Sequence, residues 1–488
     1  MKKLLVTLSL LWGAGATVAQ QQPRMLSIDE AMTLALDRNP QMEADRYQRL
    51  AAESERKAAF GLRLPQVDVL GSYVMTNRDM KIDINGLKGP ANNLLNGLFG
   101  ELGQAGIVVP PSITELASSL MGADWGMTLQ KKRVGFVGGS LTLPVYAGGR
   151  INAANRAARI NEQSAEKQGD QNRNALVSEL VERYYGLALA MQVVEVRKQV
   201  VEGVRVHLQD AVALEKAGII ARSEKLYAEV KMAEAERELL DARLQVRTLT
   251  AALGNTLNSP VDFLPVSPMF VLERLEGVAY YRSVASANSP LLEQVALKRQ
   301  LAEEGVKVQR AAYLPELALM GGGMFYRYQV TRMLPSWAIG AGMKINLFDG
   351  TQREHRYAAA KRTVQQVEAL ENKANSDISV LVEKIYNQML NYHDQIPSID
   401  ASMEFASEYL RIKNAAFHEG MASSADVIDA QLELARIRTE RLQAAFNYDL
   451  MLARLLEAAG VSDRFIEYVR RADARQITFD NSPSENKQ

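Results

Sequence analysis

Apolar residues recur in alternating steps of three and four along two long stretches of the chain, 149–217 and 350–418. This spacing is typical of helices that pack as coiled coils. The second stretch has the cleaner seam, which comprises Val382, Ile385, Met389, Tyr392, Ile396, Ile399, Met403, Ala406 and Leu410. At a rise of about 1.5 Å per residue, each helix would extend roughly 100 Å, which no ordinary globular core requires. Pro397 lies within the second seam and predicts a kink, because proline removes a backbone hydrogen bond.

Four shorter segments alternate apolar residues with small or polar ones and are predicted to be strands: 66–76, 135–143, 316–326 and 337–347. Strands of about ten residues with one apolar face are typical of membrane barrels. The same alternation also fits a small soluble sheet, so the pattern alone leaves both alternatives open. Four strands are too few to enclose a pore, and a barrel would therefore need strands from several chains.

A glycine marks the predicted end of each long helix, at Gly218 and at Gly420. Glycine closes a helix through a left-handed cap, and a serine placed shortly afterwards can begin the next helix. Shorter returning helices are accordingly predicted over 223–253 and 424–459. Each half of the chain thus contains a strand pair, a very long helix, a glycine turn and a returning helix.

The two halves of the chain repeat one another in sequence. Pro65 corresponds to Pro315 at an offset of 250 residues, whereas Tyr184 corresponds to Tyr386 at an offset of 202. The change of offset leaves 48 extra residues in the first half. They fall in the stretch 77–132, which carries Gly, Asn and Ser and is predicted to be a long loop.

These features predict the organisation of the chain. A first structural repeat covers 20–264, and a second covers 265–473 and opens with a helix over 290–314. The polar residues 474–488 are predicted to form a disordered tail.

The N-terminal residues 1–19 have the features of a secretory signal peptide. Lys2 and Lys3 supply its positive end, an apolar stretch follows over 4–12, and Thr17–Ala19 resembles a cleavage site. No later run of 18 apolar residues follows that could form a transmembrane helix. If this protein crosses a membrane, it is therefore expected to do so as β-strands.

Composition argues against an enzyme, a cofactor and a nucleic-acid partner. Lys plus Arg and Asp plus Glu are both 57, whereas nucleic-acid-binding proteins usually carry a basic surface. There is no cysteine, no nucleophile with a matched base and no glycine-rich nucleotide loop. The four histidines lack metal-site spacing, and all are expected on solvent-facing helix surfaces: His207, His355, His393 and His418.

The order of short motifs resembles the TolC family of outer-membrane efflux channels over nearly all of the mature chain. The motifs that carry this resemblance are Ser27–Ala31, Asn39–Pro40, Leu64–Pro65, Pro144–Arg150, Asn346–Gly350 and Ala425–Ala430. The resemblance implies a mainly helical fold with four strands per chain. A homotrimer would pool them into a twelve-stranded barrel, and its coiled-coil helices would form a periplasmic tunnel.

The resemblance also implies the function and the partners. The protein would be a passive exit duct in the outer membrane, serving a tripartite efflux or type I secretion system. An inner-membrane transporter would supply the energy, and a periplasmic adaptor would join it to the duct. The loop over 77–132 would be extracellular. The alternative is a periplasmic coiled-coil adaptor or scaffold without a barrel. A strand pair in each of two repeats favours the channel.

The glycine turns that end the two long helices are called the tips below. In the family, acidic residues just after the second tip form rings that narrow the periplasmic entrance. The matching residues are Asp426 and Asp429, and Glu224 corresponds in the first repeat, where Tyr227 replaces the second acid. The alternative to a gating role is a structural one, in which the helix dipole stabilises carboxylates in the first turn of a helix. The family's basic residue near the second tip is missing, and Arg222 is the candidate replacement.

The tips of the long helices are expected to contact the adaptor. The residues assigned to this surface are Gly218, Ile219, Ile220, Gly420 and Met421. Exposed apolar side chains at a turn favour a contact surface, whereas glycine by itself is expected at any such turn.

Overall fold

The computed structural model describes residues 24–104, 109–331 and 334–479 and confirms a mainly helical fold. Its first half contains β1 (Arg24–Leu26), α1 (Ile28–Arg38), α2 (Pro40–Gly61), β2 (Gln66–Met75), β3 (Met80–Asp83), α3 (Lys88–Gln104), α4 (Pro111–Gly122), β4 (Gly126–Gln130), β5 (Arg133–Ala147), α5 (Arg150–Lys216) and α6 (Arg222–Thr256). The remainder contains β6 (Phe263–Pro265), β7 (Met269–Leu272), α7 (Val278–Asn288), α8 (Pro290–Ala311), β8 (Glu316–Tyr328), β9 (Trp337–Lys344), α9 (Gln352–His418), α10 (Ser424–Ala458), α11 (Phe465–Val469) and β10 (Ala474–Ile477).

Two helices of 67 residues each, α5 and α9, dominate the fold. Their bounds coincide with the stretches of coiled-coil spacing in the sequence. Both returning helices, α6 and α10, have 35 residues, so they are about half as long. Pro397 lies inside α9, and the helix continues through it.

A four-stranded antiparallel sheet has the order β2–β5–β8–β9. Its outer strands are β2 and β9, and each has one edge that pairs with no described strand. Large apolar side chains on these two strands are solvent-exposed, among them Val69 and Ile339. β9 ends three residues earlier than predicted. There the guanidinium of Arg353 donates hydrogen bonds to the carbonyl oxygens of Asn346 (2.6 Å) and Leu347 (2.9 Å) and diverts the backbone from the ladder.

The prediction of a simple loop over 77–132 is wrong. This stretch contains the β3–β4 hairpin and the helices α3 and α4. The Nδ2 of Asn85 donates to Oδ1 of Asp124 (2.8 Å), and the N–H of Trp125 donates to the Asn85 side chain (2.9 Å). These bonds close the base of the insertion. Its Gly and Asn residues indicate a loop by composition, but they are accommodated within helix.

The chain forms two compact units that differ from its two successive repeats. Among the described residues, one unit comprises 24–54, 159–302 and 362–479, and the other comprises those within 55–158 and 303–361. Each unit therefore draws on both halves of the sequence. The signal peptide predicted over 1–19 lies outside the described residues.

The start of the predicted disordered tail is corrected by the structure. Ala474–Ile477 forms β10, which pairs antiparallel with β7. Arg475 on this strand forms an ion pair with Asp400 of α9, and Asp400 also pairs with Arg441 of α10 at 2.7 Å. Arg441 is buried, so the strand is anchored through a charged cluster inside the protein. The residues of that tail from 480 onward lie outside the described part.

Tyr184 and Asp449 are buried polar residues in the same unit. The Tyr184 hydroxyl donates to the carbonyl oxygen of Leu26 (2.7 Å) and accepts from the N–H of Ser267 (2.9 Å). The carboxyl group of Asp449 accepts from the N–H of Phe270 in β7 (3.2 Å). These bonds fasten β1 to α5 and β7 to α10.

Across the ranges 24–104, 109–331 and 334–479, no helix has a stretch long and apolar enough to span a membrane.

Candidate functional site

The two glycine turns that end α5 and α9 have the same backbone geometry. Gly218 has a φ of +75° and Gly420 a φ of +71°, which is the left-handed region. The N–H of Ile219 donates to the carbonyl oxygen of Leu214 (2.9 Å), and the N–H of Met421 donates to that of Ala416 (2.8 Å). This six-to-one bond defines a Schellman motif, so both turns are fixed by their glycines.

Asp426 forms a capping box at the start of α10. Its N–H donates to Oγ of Ser423 (3.2 Å), and the N–H of Ser423 donates to its carboxylate (3.0 Å). This pairing satisfies two backbone donors that the helix itself leaves free. The carboxylate is still 44% exposed and therefore accessible to solvent.

A lysine from the preceding long helix also binds Asp426. The Nζ of Lys413 lies 3.2 Å from Oδ1 of Asp426. Hydrogen bonds from the backbone and side chain of Ser423, followed by the one from Lys413, hold the pKa of Asp426 below its usual range. The hydrogen bond to Asp426 raises the pKa of Lys413 in turn. Both groups are therefore charged at neutral pH.

Asp429 lies one turn further along α10, is exposed, and binds a residue of the first repeat. Its carboxylate accepts a hydrogen bond from the Tyr227 hydroxyl of α6. Burial, followed by the Asp429 hydrogen bond, raises the pKa of Tyr227 to about 12, so the phenol keeps its proton at neutral pH. The sequence showed that Tyr227 replaces an acid, but not that it would bind the acid of the other repeat.

The first tip differs from the second at the helix start. Ala221 is the N-cap residue of α6 and provides no side-chain hydrogen bond, and Glu224 lies in the first turn. Arg222 is the first residue of this helix and is exposed, and no ion pair joins it to another residue of the described part. Within the described ranges, Arg222 therefore has no ionic partner that would close a gate.

The side chains predicted for the adaptor surface are not all exposed. Ile219 and Met421 are 70% and 77% exposed, as expected for a contact surface. Ile220 is half-buried and packs against the hydrophobic core, so the expectation that it is exposed is wrong. It follows the glycine by two residues, where the chain has already turned back towards the helices.

His207 corrects the expectation that every histidine faces solvent. This α5 residue is buried, and its ring contacts that of Phe417 in α9 edge-to-face with centroids 5.4 Å apart. Burial lowers its pKa. His393 is half-buried beside Asp394, whereas His355 and His418 are exposed. His207 follows the buried Val204 by three residues and precedes the buried Ala211 by four, and this coiled-coil spacing was the available sign of its burial.

No cluster of three or more potential metal-binding side chains occurs in the part of the chain that the structure describes.

Comparison with known proteins gives a consistent result. The model of the outer membrane efflux protein family matches residues 31–259 and 282–461. The alkaline protease secretion protein AprF of Pseudomonas aeruginosa is 23% identical over 307 residues, which cover 59% of this chain and 62% of AprF. Protein CyaE of Bordetella pertussis is 26% identical over 261 residues, covering 51% and 54%. The matches therefore span less than two thirds of either relative.

The fold is also similar to that of a solved outer membrane channel. The crystal structure of CmeC from Campylobacter jejuni aligns with a TM-score of 0.68 at 15% identity, covering 91% of this chain and 89% of CmeC. The family consists of outer-membrane channel proteins rather than enzymes, which places this chain in the outer membrane. Because the family model matches most of the sequence in two blocks that follow the two repeats, the chain belongs to the outer membrane efflux protein family.

Proposed function

We propose that the protein is one subunit of a passive outer-membrane exit duct in a tripartite efflux or type I secretion system. Three chains would each contribute four strands to one twelve-stranded barrel, and their long helices would form a tunnel in the periplasm. Substrates would leave through this tunnel without contacting lipid. AprF is named for protease secretion, so a polypeptide is one candidate cargo.

The open edges of the four-stranded sheet are the observation that carries this proposal. β2 and β9 are its outer strands, and both expose large apolar side chains. In a bilayer, an open edge would leave backbone N–H and C=O groups unpaired, which costs several kcal/mol for each group. Pairing β2 of one chain with β9 of the next removes every edge. The sheet is thus suited to a closed ring of several chains.

We propose that the tips of α5 and α9 form the gate of this duct. Three copies of Asp426 and Asp429 around an axis would attract cations, as carboxylate rings do in cation pores. The bond from Tyr227 to Asp429 joins the two returning helices of one chain and would hold them together in the closed state. Glu224 would add a third acidic group, and Arg222 would pair with an acid of a neighbouring chain.

We propose that the exposed turn residues bind the other components of the machine. Ile219 and Met421 project from turns fixed by Gly218 and Gly420, and half-buried Ile220 packs against the hydrophobic core. A periplasmic adaptor that inserts apolar residues here would connect the duct to an inner-membrane transporter. The chain has no nucleotide-binding loop that would supply energy itself.

Site-directed crosslinking tests the shared barrel, because the chain contains no cysteine. Val69→Cys on β2 and Ile339→Cys on β9 would be combined in one chain and treated in membranes with bismaleimides of graded length. We expect covalent products of up to three chains, and only when both cysteines are present. A protein that is monomeric and soluble without detergent would contradict the proposal.

A further inference from the structure

The insertion between β2 and β5 exposes an apolar surface that the function described above does not use. Five large side chains on α3 and α4 are between 48% and 75% exposed: Leu94, Leu98, Ile113, Leu116 and Leu120. Only Lys88, Glu101 and Glu115 are charged between residues 85 and 122, although 23% of the whole chain is charged. An uncharged surface with this many exposed aliphatic side chains indicates a contact surface.

The exposed side chains lie on faces that the two helices do not use for each other. On α4, Ile113, Leu116 and Leu120 follow helical spacing on one face, whereas the half-buried Ala117 and Met121 lie on a neighbouring one. On α3, Leu94 and Leu98 are likewise exposed beside a half-buried face, which comprises Ala91, Leu95 and Phe99. The insertion therefore has its own internal packing and a second apolar surface outside it.

The base of the insertion is firmly held. In addition to the Asn85–Asp124 bond, the N–H of Thr76 donates to the carbonyl oxygen of Lys132 (2.7 Å), and the N–H of Lys132 donates to Asp79 (2.6 Å). These bonds extend the pairing of β2 and β5 into the hairpin of β3 and β4. The helices are consequently presented in a defined place at the end of the sheet.

Lipid does not explain this surface. The ladder between β2 and β5 has ten paired residues, from Gln66 to Met75. At about 3.3 Å per residue and a tilt of about 40°, such a strand rises roughly 25 Å, the height of the apolar band of a membrane barrel. In the barrel proposed above, the insertion would begin where that band ends, and its helices would lie beyond the hydrocarbon layer.

The insertion is continuous with the edge through which the chains would meet. β2 is an outer strand, and in the trimer proposed above its open edge pairs with the next chain. We propose that the apolar faces of α3 and α4 pack against the same helices of the other two subunits and form a cap beyond the exit. This inference depends on the trimeric duct. The second repeat joins β8 to β9 with a short connection, so each subunit contributes one such insertion.

Single-cysteine variants of the full-length protein test the cap. Leu116→Cys lies on the exposed apolar face, and Ser118→Cys lies on the opposite polar face of the same helix. Oxidation in native membranes should link Leu116→Cys into disulfide-bonded dimers and leave Ser118→Cys as single chains. The double variant Leu94→Ser/Leu116→Ser should keep the trimer and make a cysteine at Leu120 react faster with a water-soluble maleimide.

The outcomes separate this inference from the proposed function. Trimers that conduct but show no link at Leu116→Cys would overturn the cap and leave the duct intact. Equal amounts of disulfide-bonded dimer in Leu116→Cys and Ser118→Cys would indicate random collision and would also overturn the cap. Protection of Leu116→Cys from the maleimide without any link would indicate lipid contact instead. A protein with neither trimers nor conductance would contradict the duct itself.

Discussion

The Tyr227 hydroxyl donates a hydrogen bond to the Asp429 carboxylate, and these residues occupy equivalent positions in the two repeats, 202 residues apart. Where an exact repeat would place two acids or two phenols opposite each other, the sequence has one donor and one acceptor. Two like carboxylates at this contact would repel one another. The divergence of the repeats thus creates a bond between the returning helices, at the tips that the account assigns to the gate.

We expect Tyr227→Phe to weaken closure. A hydrogen bond contributes about 1 kcal/mol, so its loss should shift the balance between closed and open tips by about fivefold. Single-channel recording would show larger or more frequent openings. Tyr47→Phe, at an exposed tyrosine of α2, is the matched control and should behave as wild type. Unchanged openings in Tyr227→Phe would exclude this bond from gating.

The two tips should respond in opposite directions to exchange of their N-cap residues. Ser423 caps α10 through its side chain, whereas Ala221 holds the same position in α6 with the same extended backbone and provides no cap. Ser423→Ala should destabilise the start of α10 by about 1 kcal/mol, and Ala221→Ser should stabilise α6.

Hydrogen exchange of the first-turn amides would measure both N-cap effects separately. We expect exchange to accelerate in Ser423→Ala and to slow in Ala221→Ser. Acceleration in both variants would show that the alanine at the first tip is required there for another reason.

The buried cluster around Asp400 should be sensitive to loss of this carboxylate. Asp400 binds both Arg441 and Arg475, so Asp400→Ala would leave two guanidinium groups without that acid. Breaking a buried pair in this way costs about 3–5 kcal/mol. Thermal unfolding should occur at a clearly lower temperature than in wild type, and β10 should become susceptible to proteolysis.

An exposed ion pair provides the control for this cluster. Glu433 pairs with Arg436 on the surface of α10, where solvent screens the interaction. Glu433→Ala should unfold at the wild-type temperature. Equal effects of the two substitutions would contradict the role assigned to Asp400.

Asp449 should make stability depend on pH. Burial raises the pKa of this fully buried carboxyl group well above its ordinary value of 3.8. Between the ordinary pKa and the raised one, the unfolded chain loses the proton while the folded protein keeps it. The free energy of unfolding therefore falls as pH rises, by at most about 1.4 kcal/mol per pH unit. Asp449→Asn keeps the shape and removes the titration.

The difference in unfolding temperature between Asp449→Asn and wild type should therefore widen in favour of the variant as pH is raised from the ordinary pKa of 3.8 upwards. Asp463→Asn, at an exposed acid, should show no such trend. A constant difference across this range for Asp449→Asn would show that the folded protein ionises Asp449.

Periodicity was sufficient to predict the long helices, because a coiled-coil seam is a local pattern that lasts for many turns. Val382, Met389 and Met403 are buried in α9 as that pattern requires. Prediction was weakest where tertiary contacts override composition. α3 and α4 contain glycines and asparagines typical of loops. Ile220 is half-buried against the hydrophobic core, and His207 is buried beside Phe417, which is distant in the sequence.

The candidate site was only partly predictable for the same reason. The positions of Asp426 and Asp429 follow from the resemblance to the TolC family, and Asp426 lies in the first turn of α10. Its pairing with Lys413 and the bond from Tyr227 to Asp429 join different helices. Such contacts depend on how the helices pack, which one sequence does not specify.

Conductance of the purified protein in a planar bilayer tests the central claim most directly, with wild type beside the double variant Asp426→Ala/Asp429→Ala. The duct predicts small, cation-preferring steps in wild type, and larger steps or a lost preference in the variant. Equal conductance in both would keep the duct and place its gate elsewhere. Folded wild-type protein that never inserts or conducts would contradict the account.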